Sequence, residues 1–389
     1  MQPELIADCV HCGFCLPTCP TYELWHEEMD SPRGRIQLMA GLADGSLQLT
    51  DTVVEHFDRC LGCMGCVTAC PSGVQYDRLI ESTRAYVEQQ HARTRSERLL
   101  RALIFSVFPH RRRLRAALAF RRLPAPGPLA PLREIAPPWI DSERPQDRVP
   151  GRGPRVALMI GCVQSVVFGH VNRATARVLA ADGYDVHVPW RQGCCGALHA
   201  HAGRLDDGVA RARKLAHDLR GYDAIVTNAA GCGSHLKDHL DANVVDVSEL
   251  LAGAPRPAER MPLELRVAFQ DSCHLKHAQR IEAEPRAALA AIPGLELVEP
   301  REQELCCGSA GIYNLVQPQA ARELGDRKGQ RILDTEPDVY ASANPGCLVQ
   351  VSAALRRAGT PLPALHPIEL VDASIRGLSA EDVVANARR

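Results

Sequence analysis

"CVHCGFCLPTCP", residues 9–20, and "CLGCMGCVTACP", residues 60–71, carry cysteines at identical spacings, and a proline closes each run. The thiols are Cys9, Cys12, Cys15 and Cys19 in the first run and Cys60, Cys63, Cys66 and Cys70 in the second. Three cysteines spaced by three let a bending chain aim three thiolates at one small object. A fourth, one residue further on and followed by proline, completes the ferredoxin spacing C-x2-C-x2-C-x3-C-P, whose last cysteine ligates the other cluster. Crossing the fourth ligands predicts Cys9, Cys12, Cys15 and Cys70 around one [4Fe–4S] cluster. It places Cys60, Cys63, Cys66 and Cys19 around a second. Zinc sites present separated C-x2-C pairs instead. Two clusters held by exchanged ligands must be neighbours, which makes a short path for single electrons.

The chain has 389 residues, enough for two or three domains, with 46% apolar and 23% charged residues. A net charge of −1 gives no field that would draw nucleic acid, and no nucleic-acid partner is expected. No apolar run approaches the roughly 20 residues of a membrane span. The opening "MQPELIADCV" lacks the basic and apolar regions of a signal peptide, so a cytoplasmic location is expected. In a reducing compartment, 16 clustered cysteines point to metal binding rather than to disulfides.

Helical signals fill the rest of residues 1–90. "SPRGRIQLMAGLADG" opens on a Ser-Pro helix start and ends at Gly45, and "VVEHFDRC" and "YDRLIESTRAYVEQQ" carry helical periodicity. This predicts an α-helical ferredoxin-like head. Arg33 and Arg35 are expected to face solvent, with tuning of cluster charge as the alternative. Residues 91–122 hold ten arginines and one glutamate among apolar stretches, and Pro109 divides them into two helices. Such a basic arm suits anionic lipid, an acidic partner or the head itself. Residues 123–154, with nine prolines from Pro124 to Pro154, read as a semi-rigid linker.

Beyond the linker the chain repeats itself. "RVALMIGC" reaches Cys162, then come "RQGCCGALHAHAG" with Cys194 and Cys195, and "NAAGCGSH" with Cys232. The second copy runs "LRVAFQDSC" to Cys273, "ELCCGSAG" with Cys306 and Cys307, and "NPGCLVQ" with Cys347. Each copy, residues 155–255 and 264–375, reads strand–helix three times over. Two α/β domains with parallel, Rossmann-like sheets are therefore expected. Loops at the carboxyl ends of parallel strands converge on one crevice, so each copy should gather four thiols there. Four thiolates together call for a metal: a further [4Fe–4S] cluster or zinc. No G-x-G-x-x-G marks a flavin or dinucleotide site.

The head motifs, followed by two cysteine-pair repeats, resemble the iron–sulfur subunit of bacterial glycolate oxidase. The second half resembles its paired "CCG" domains, shared with the heterodisulfide reductase B subunit, the anaerobic glycerol-3-phosphate dehydrogenase C subunit and lactate-utilisation proteins. The likeness covers nearly the whole chain except the linker and the last dozen residues. It implies FAD-binding partner subunits that oxidise glycolate to glyoxylate. It also implies an electron-transfer role for this chain toward a quinone, peripheral on the inner face of the cytoplasmic membrane. D-lactate or glycerol 3-phosphate as the donor's substrate, a thiol-disulfide reductase and a zinc scaffold are the alternatives. The full CCG motif of the heterodisulfide reductase relative ends in C-x-x-C. Here His235 and Gln350 stand at that last position, which removes the five-cysteine arrangement. His235 reads as a loop residue, with an added ligand as its second reading. His274 and His277, beside Cys273, are candidates for moving protons near a quinone.

Overall fold

The computed structural model describes residues 3–120, 134, 136, 137 and 140–387. Much of the 123–154 linker lies outside the described residues. Its last part does not behave as a linker: Arg148–Val149 forms strand β1, which pairs antiparallel with the third strand of the first sheet.

The head is helical. Ser31 caps the helix Pro32–Asp44 by accepting from the Gly34 N–H at 3.0 Å, and Gly45 closes it. Helices Asp51–Arg59 and Tyr76–Gln90 pack against it, burying Met39, Phe57, Leu79 and Ile80. One polar knot runs through this core. Arg35 is 1% exposed and Asp30 is fully buried. The Arg35 guanidinium reaches Asp30 at 3.3 Å, Thr21 at 3.1 Å and the His56 carbonyl at 2.7 Å. Asp30 also accepts from Arg59 at 2.8 Å and lies 3.0 Å from His56 Nδ1. The expectation that Arg35 faces solvent is thus overturned: a Ser-Pro helix start rotates it inward, whereas Arg33 stays half-exposed and pairs with Glu28 at 2.6 Å.

Residues 93–119 fold back on the molecule. Thr94 and Glu97 form a capping box for the helix Arg95–Val107, and Pro109 separates it from Arg111–Ala119. Arg93 grips Asp58 and Glu88 of the head, while Ile104 and Phe105 bury against Ala202, Ile312 and Leu315. Arg111, Arg112 and Arg113 remain at the surface; Arg121 and Arg122 lie outside the described residues.

The first repeat adds β2 (Arg155–Leu158), β3 (Asp185–His187), β4 (Ala224–Thr227) and β5 (Val244–Asp246), in spatial order β1-β3-β2-β4-β5. The second holds β6 (Leu265–Phe269), β7 (Leu295–Val298), β8 (Val339–Ala341) and β9 (Ala364–Leu365), in order β7-β6-β8-β9. All pairings but that of β1 are parallel. Each sheet thus has a fourth strand, β5 or β9, beyond the three that apolar runs signal; both are too short to announce themselves. The order reverses between β2 and β4, and between β6 and β8, which opens a crevice at those carboxyl ends. The first long helix of each copy packs on the last helix of the other: Gly169–Ala181 on Pro367–Ile375, and Ala283–Ala290 on Val247–Ala252. That reciprocity relates the copies by an approximate two-fold and merges their cores.

Replacing Asp30 with Ala should cost about 3–5 kcal/mol, because it strands a buried guanidinium. Replacing Glu55, whose pair with Arg59 is exposed, should cost under about 1 kcal/mol. Denaturant unfolding followed through the helical signal checks the contrast; equal effects would refute the role given to Asp30.

Candidate metal centres

Both cysteine runs of the head curl in the same way. His11 and Gly13 in the first, and Gly62 and Met64 in the second, take left-handed backbone conformations at matching places. A non-glycine residue in that region is uncommon, and alternating handedness turns successive N–H groups toward one centre, a concave seat for an anion. Cys9, Cys12, Cys15 and Cys70 line one surface cavity together with Cys66, and Val10 and Phe14 rim it. Both of these apolar side chains are 67% exposed. Cys19, Cys60, Cys63 and Cys66 are all buried. Burial pushes the Cys66 thiol far up, and the charges of Cys63, Cys19 and Cys60 add to it. Cys19 is felt both by Cys66 of the second run and by Cys15 of its own. Burial also raises Cys60, yet Arg35, Arg84, the Gly62 N–H and the Tyr76 hydroxyl outweigh it and bring that thiol down. The Gly62 N–H lies 3.3 Å and the Tyr76 hydroxyl 3.7 Å from Cys60 Sγ.

Each repeat brings its four thiols together. In the first, Cys162 Sγ lies 3.5 Å from Cys194 Sγ and Cys195 Sγ lies 3.1 Å from Cys232 Sγ. Hydrogen bonds from Cys162 and Cys195 hold the Cys194 thiol low. In the second, bonds from Cys306 and Cys347 do the same for Cys307, while the Cys273 contact and burial raise Cys306. Cys232 and Cys347 lie in the first turns of helices Ala230–His239 and Pro345–Arg357, where N–H groups point outward. Gly196 and Gly308 follow the pairs with φ of 98° and 88°. A Cβ there would stand 2.1 Å from the Gly208 carbonyl oxygen or 2.5 Å from that of Ala321. Only glycine lets the paired cysteines lie so close to the next helix.

The repeats differ in what surrounds the thiols. All four cysteines of the second are buried, whereas Cys162 and Cys232 of the first are half-exposed. Lys328, 1% exposed, lies beside the second set; burial pulls its ammonium down while the charges of Cys273, Cys307 and Cys306 pull it up, and the net shift is downward. The first set has His199 in place of such a cation; burial and Arg211 bring it down to about 4, so it is neutral.

The head sits over the carboxyl ends of both sheets. Cys63 and Leu61 share one buried cluster with Cys273, Leu305, Cys306 and Tyr313. Burial raises the Cys63 thiol, and the next contribution comes from Cys273. Thr68 lies 2.7 Å from His277 Nδ1, and Arg84 donates to the His201 carbonyl at 3.1 Å. His274 and His277 therefore sit at the seam between head and repeats. Burial lowers both, His274 to about 4, and neither Nε2 has a hydrogen-bond partner. His235 is in a helix and buried, not in a loop, because the strand β4 runs straight into that helix. His235 and Gln350 hold equivalent places in the two copies; Gln350 donates to the Ala321 carbonyl at 2.6 Å. Sequence reasoning missed Lys328 and Tyr76, whose neighbours in the chain give no hint of a thiol nearby.

The described residues contain no helix long and apolar enough to cross a membrane. Fold and thiols together define an iron–sulfur protein of the class that sets a dicluster head on paired cysteine-rich domains. Residues 5–74 match the 4Fe-4S dicluster domain family, and residues 156–237 and 267–352 match the cysteine-rich domain family. The chain is 35% identical to the probable glycolate oxidase iron-sulfur subunit of Bacillus subtilis, over 95% of this chain and 94% of that one. It is also 35% identical to the glycolate oxidase iron-sulfur subunit of Escherichia coli, over 96% and 95%. The chain belongs to the family of glycolate oxidase iron–sulfur subunits. The B subunit of a fumarate reductase (CoM/CoB) from Methanothermobacter marburgensis shares 36% identity, over 57% of this chain and 46% of its own. A hypothetical protein from Helicobacter pylori has the same fold, with a TM-score of 0.54 at 10% identity, covering 91% of this chain and 69% of that one.

Gly308→Ala should drive the Cys306–Cys307 pair off the Ala321 carbonyl, at about 1–3 kcal/mol, and lower the metal retained by the second repeat. Gly193→Ala, where a Cβ meets nothing within 4 Å, serves as the control. Metal analysis and thermal melting check this; equal metal content in the two variants would contradict it.

Proposed function

We propose that this chain is the electron-relay subunit of a flavin-dependent glycolate dehydrogenase, working between FAD-binding subunits and a quinone. The family likeness supports glycolate as the donor's substrate. The observation that carries the relay is the one buried cluster that holds Cys63 of the head together with Cys273 and Cys306 of the second repeat. Iron–sulfur clusters held by these thiols supply one-electron exchange.

The residues divide the work. Cys9, Cys12, Cys15 and Cys70 are the ligand set nearest the surface, where exposed Val10 and Phe14 offer an apolar rim to a flavin subunit. Cys60, Cys63, Cys66 and Cys19 form the interior set, with Arg35 supplying positive charge in a dry setting. Cys273, Cys306, Cys307 and Cys347 form the third set, with Lys328 in the same role. Buried cations beside buried thiols fit an anionic cluster, since a charge away from water needs a partner. That favours a third [4Fe–4S] cluster in the second repeat. Cys162, Cys194, Cys195 and Cys232, of which only the first and last are half-buried, with no buried cation beside them among the described residues, suit zinc or a more exposed cluster. On this reading electrons pass from the surface set through the interior set to the second-repeat set. The thiol-disulfide reductase alternative loses ground, because His235 and Gln350 stand where a fifth cysteine would be. His274 and His277 each keep an unpartnered Nε2 at the seam, but burial lowers both, which weakens them as proton acceptors.

The test uses the reconstituted complex. Cys15→Ser and, separately, Cys273→Ser should reduce glycolate-driven quinone reduction to background while glycolate still bleaches the flavin. Quinone reduction at the normal rate in both variants would sink the relay. Replacing Arg111, Arg112 and Arg113 together with Ser should weaken membrane or partner association, read by sedimentation with membranes and by co-purification. Undiminished association would leave those arginines as solvated surface.

A further inference from the structure

Where the head helix Tyr76–Gln90 meets the first-repeat helix Ala230–His239, three side chains of ligand type converge. Glu81, His235 and His239 each present one ligand atom, and these atoms lie within 4.8 Å of one another. His235 and His239 are one helical turn apart and so share a face. Their ring centroids are 4.7 Å apart. His239 Nε2 lies 3.2 Å from Glu81 Oε1.

His235 supplies an independent observation. It is 5% exposed, and its Nε2 has no hydrogen-bond partner. A neutral imidazole carries a lone pair on one ring nitrogen, the atom that a metal-ligating histidine uses. Leaving that buried acceptor unmatched is unfavourable, and a ligated cation would remove the deficit. A cavity of about 340 Å³ opens beside the three residues, with Asp77, His201 and His274 also in its wall.

We propose that Glu81, His235 and His239 bind a divalent cation of the zinc class and so clamp the head to the first repeat. Two imidazoles and one carboxylate, with a fourth position open to the cavity, form a zinc ligand set. Calcium and magnesium, which want oxygen ligands throughout, suit it poorly. The site is separate from the thiol sets, and it gives His235 a use that Gln350, its counterpart in the second repeat, cannot share.

The test measures zinc and iron in the full chain, isolated without oxygen and equilibrated with zinc at low micromolar concentration, together with zinc-edge X-ray absorption. Zinc bound at this site should show nitrogen or oxygen neighbours at about 2.0–2.1 Å, against about 2.3 Å for sulfur. His239→Gln and Glu81→Gln should each remove one zinc per chain and leave iron unchanged, and Glu81→Asp should retain zinc. If all bound zinc has only sulfur neighbours, or if zinc content survives both His239→Gln and Glu81→Gln, the proposal fails. The absorption spectrum of the unaltered chain decides the matter even if a variant misfolds.

Discussion

Thiolates shut away from water repel one another and lose solvation, and this chain buries eight cysteines in its head and second repeat. Cys19, Cys60, Cys63 and Cys66 of the head and Cys273, Cys306, Cys307 and Cys347 of the second repeat are all buried, and Cys63 shares one buried cluster with Cys273 and Cys306. Such a group is tolerable only where positive charge is buried with it. Arg35 enters from the head and Lys328 from the repeat, each 1% exposed. The architecture follows from that need. The head covers the carboxyl ends of the sheets, and the arm seals its flank with Phe105 and Ile104.

The two repeats show how one fold can carry two settings. Both use the same parallel sheet, the same left-handed glycine after the cysteine pair, and the same carbonyl at Gly208 or Ala321. Their difference lies in what packs around the thiols. The second repeat faces the head's interior set and encloses a lysine. The first keeps Cys162 and Cys232 partly open and encloses a neutral His199. An approximate two-fold inside one chain is thus broken by the single head that lies across it.

Much of this was legible in the residues. Cysteine spacing announced the head, and Ser31 and Gly45 bounded its longest early helix. The 111-residue offset from Cys162 to Cys273 exposed the repeat. Short strands were not legible: β5 and β9 have three residues and two, and neighbouring strands, not their own pattern, make them strands. The inward turn of Arg35 was hidden as well, because an arginine in a helix reads as surface until its partners are known. Lys328, Glu81 and His239 were hidden because each acts on residues far away in the chain. His235 was visible as a departure from C-x-x-C, but its helix and its neighbours were not.

Iron and acid-labile sulfide per chain, measured on oxygen-free protein together with Mössbauer spectra, test the buried seam most directly. Two clusters in the head and one in the second repeat require at least about twelve irons and as many sulfides, all in [4Fe–4S] form. About eight irons, with the second-repeat thiols free or holding zinc, would contradict the account of that seam.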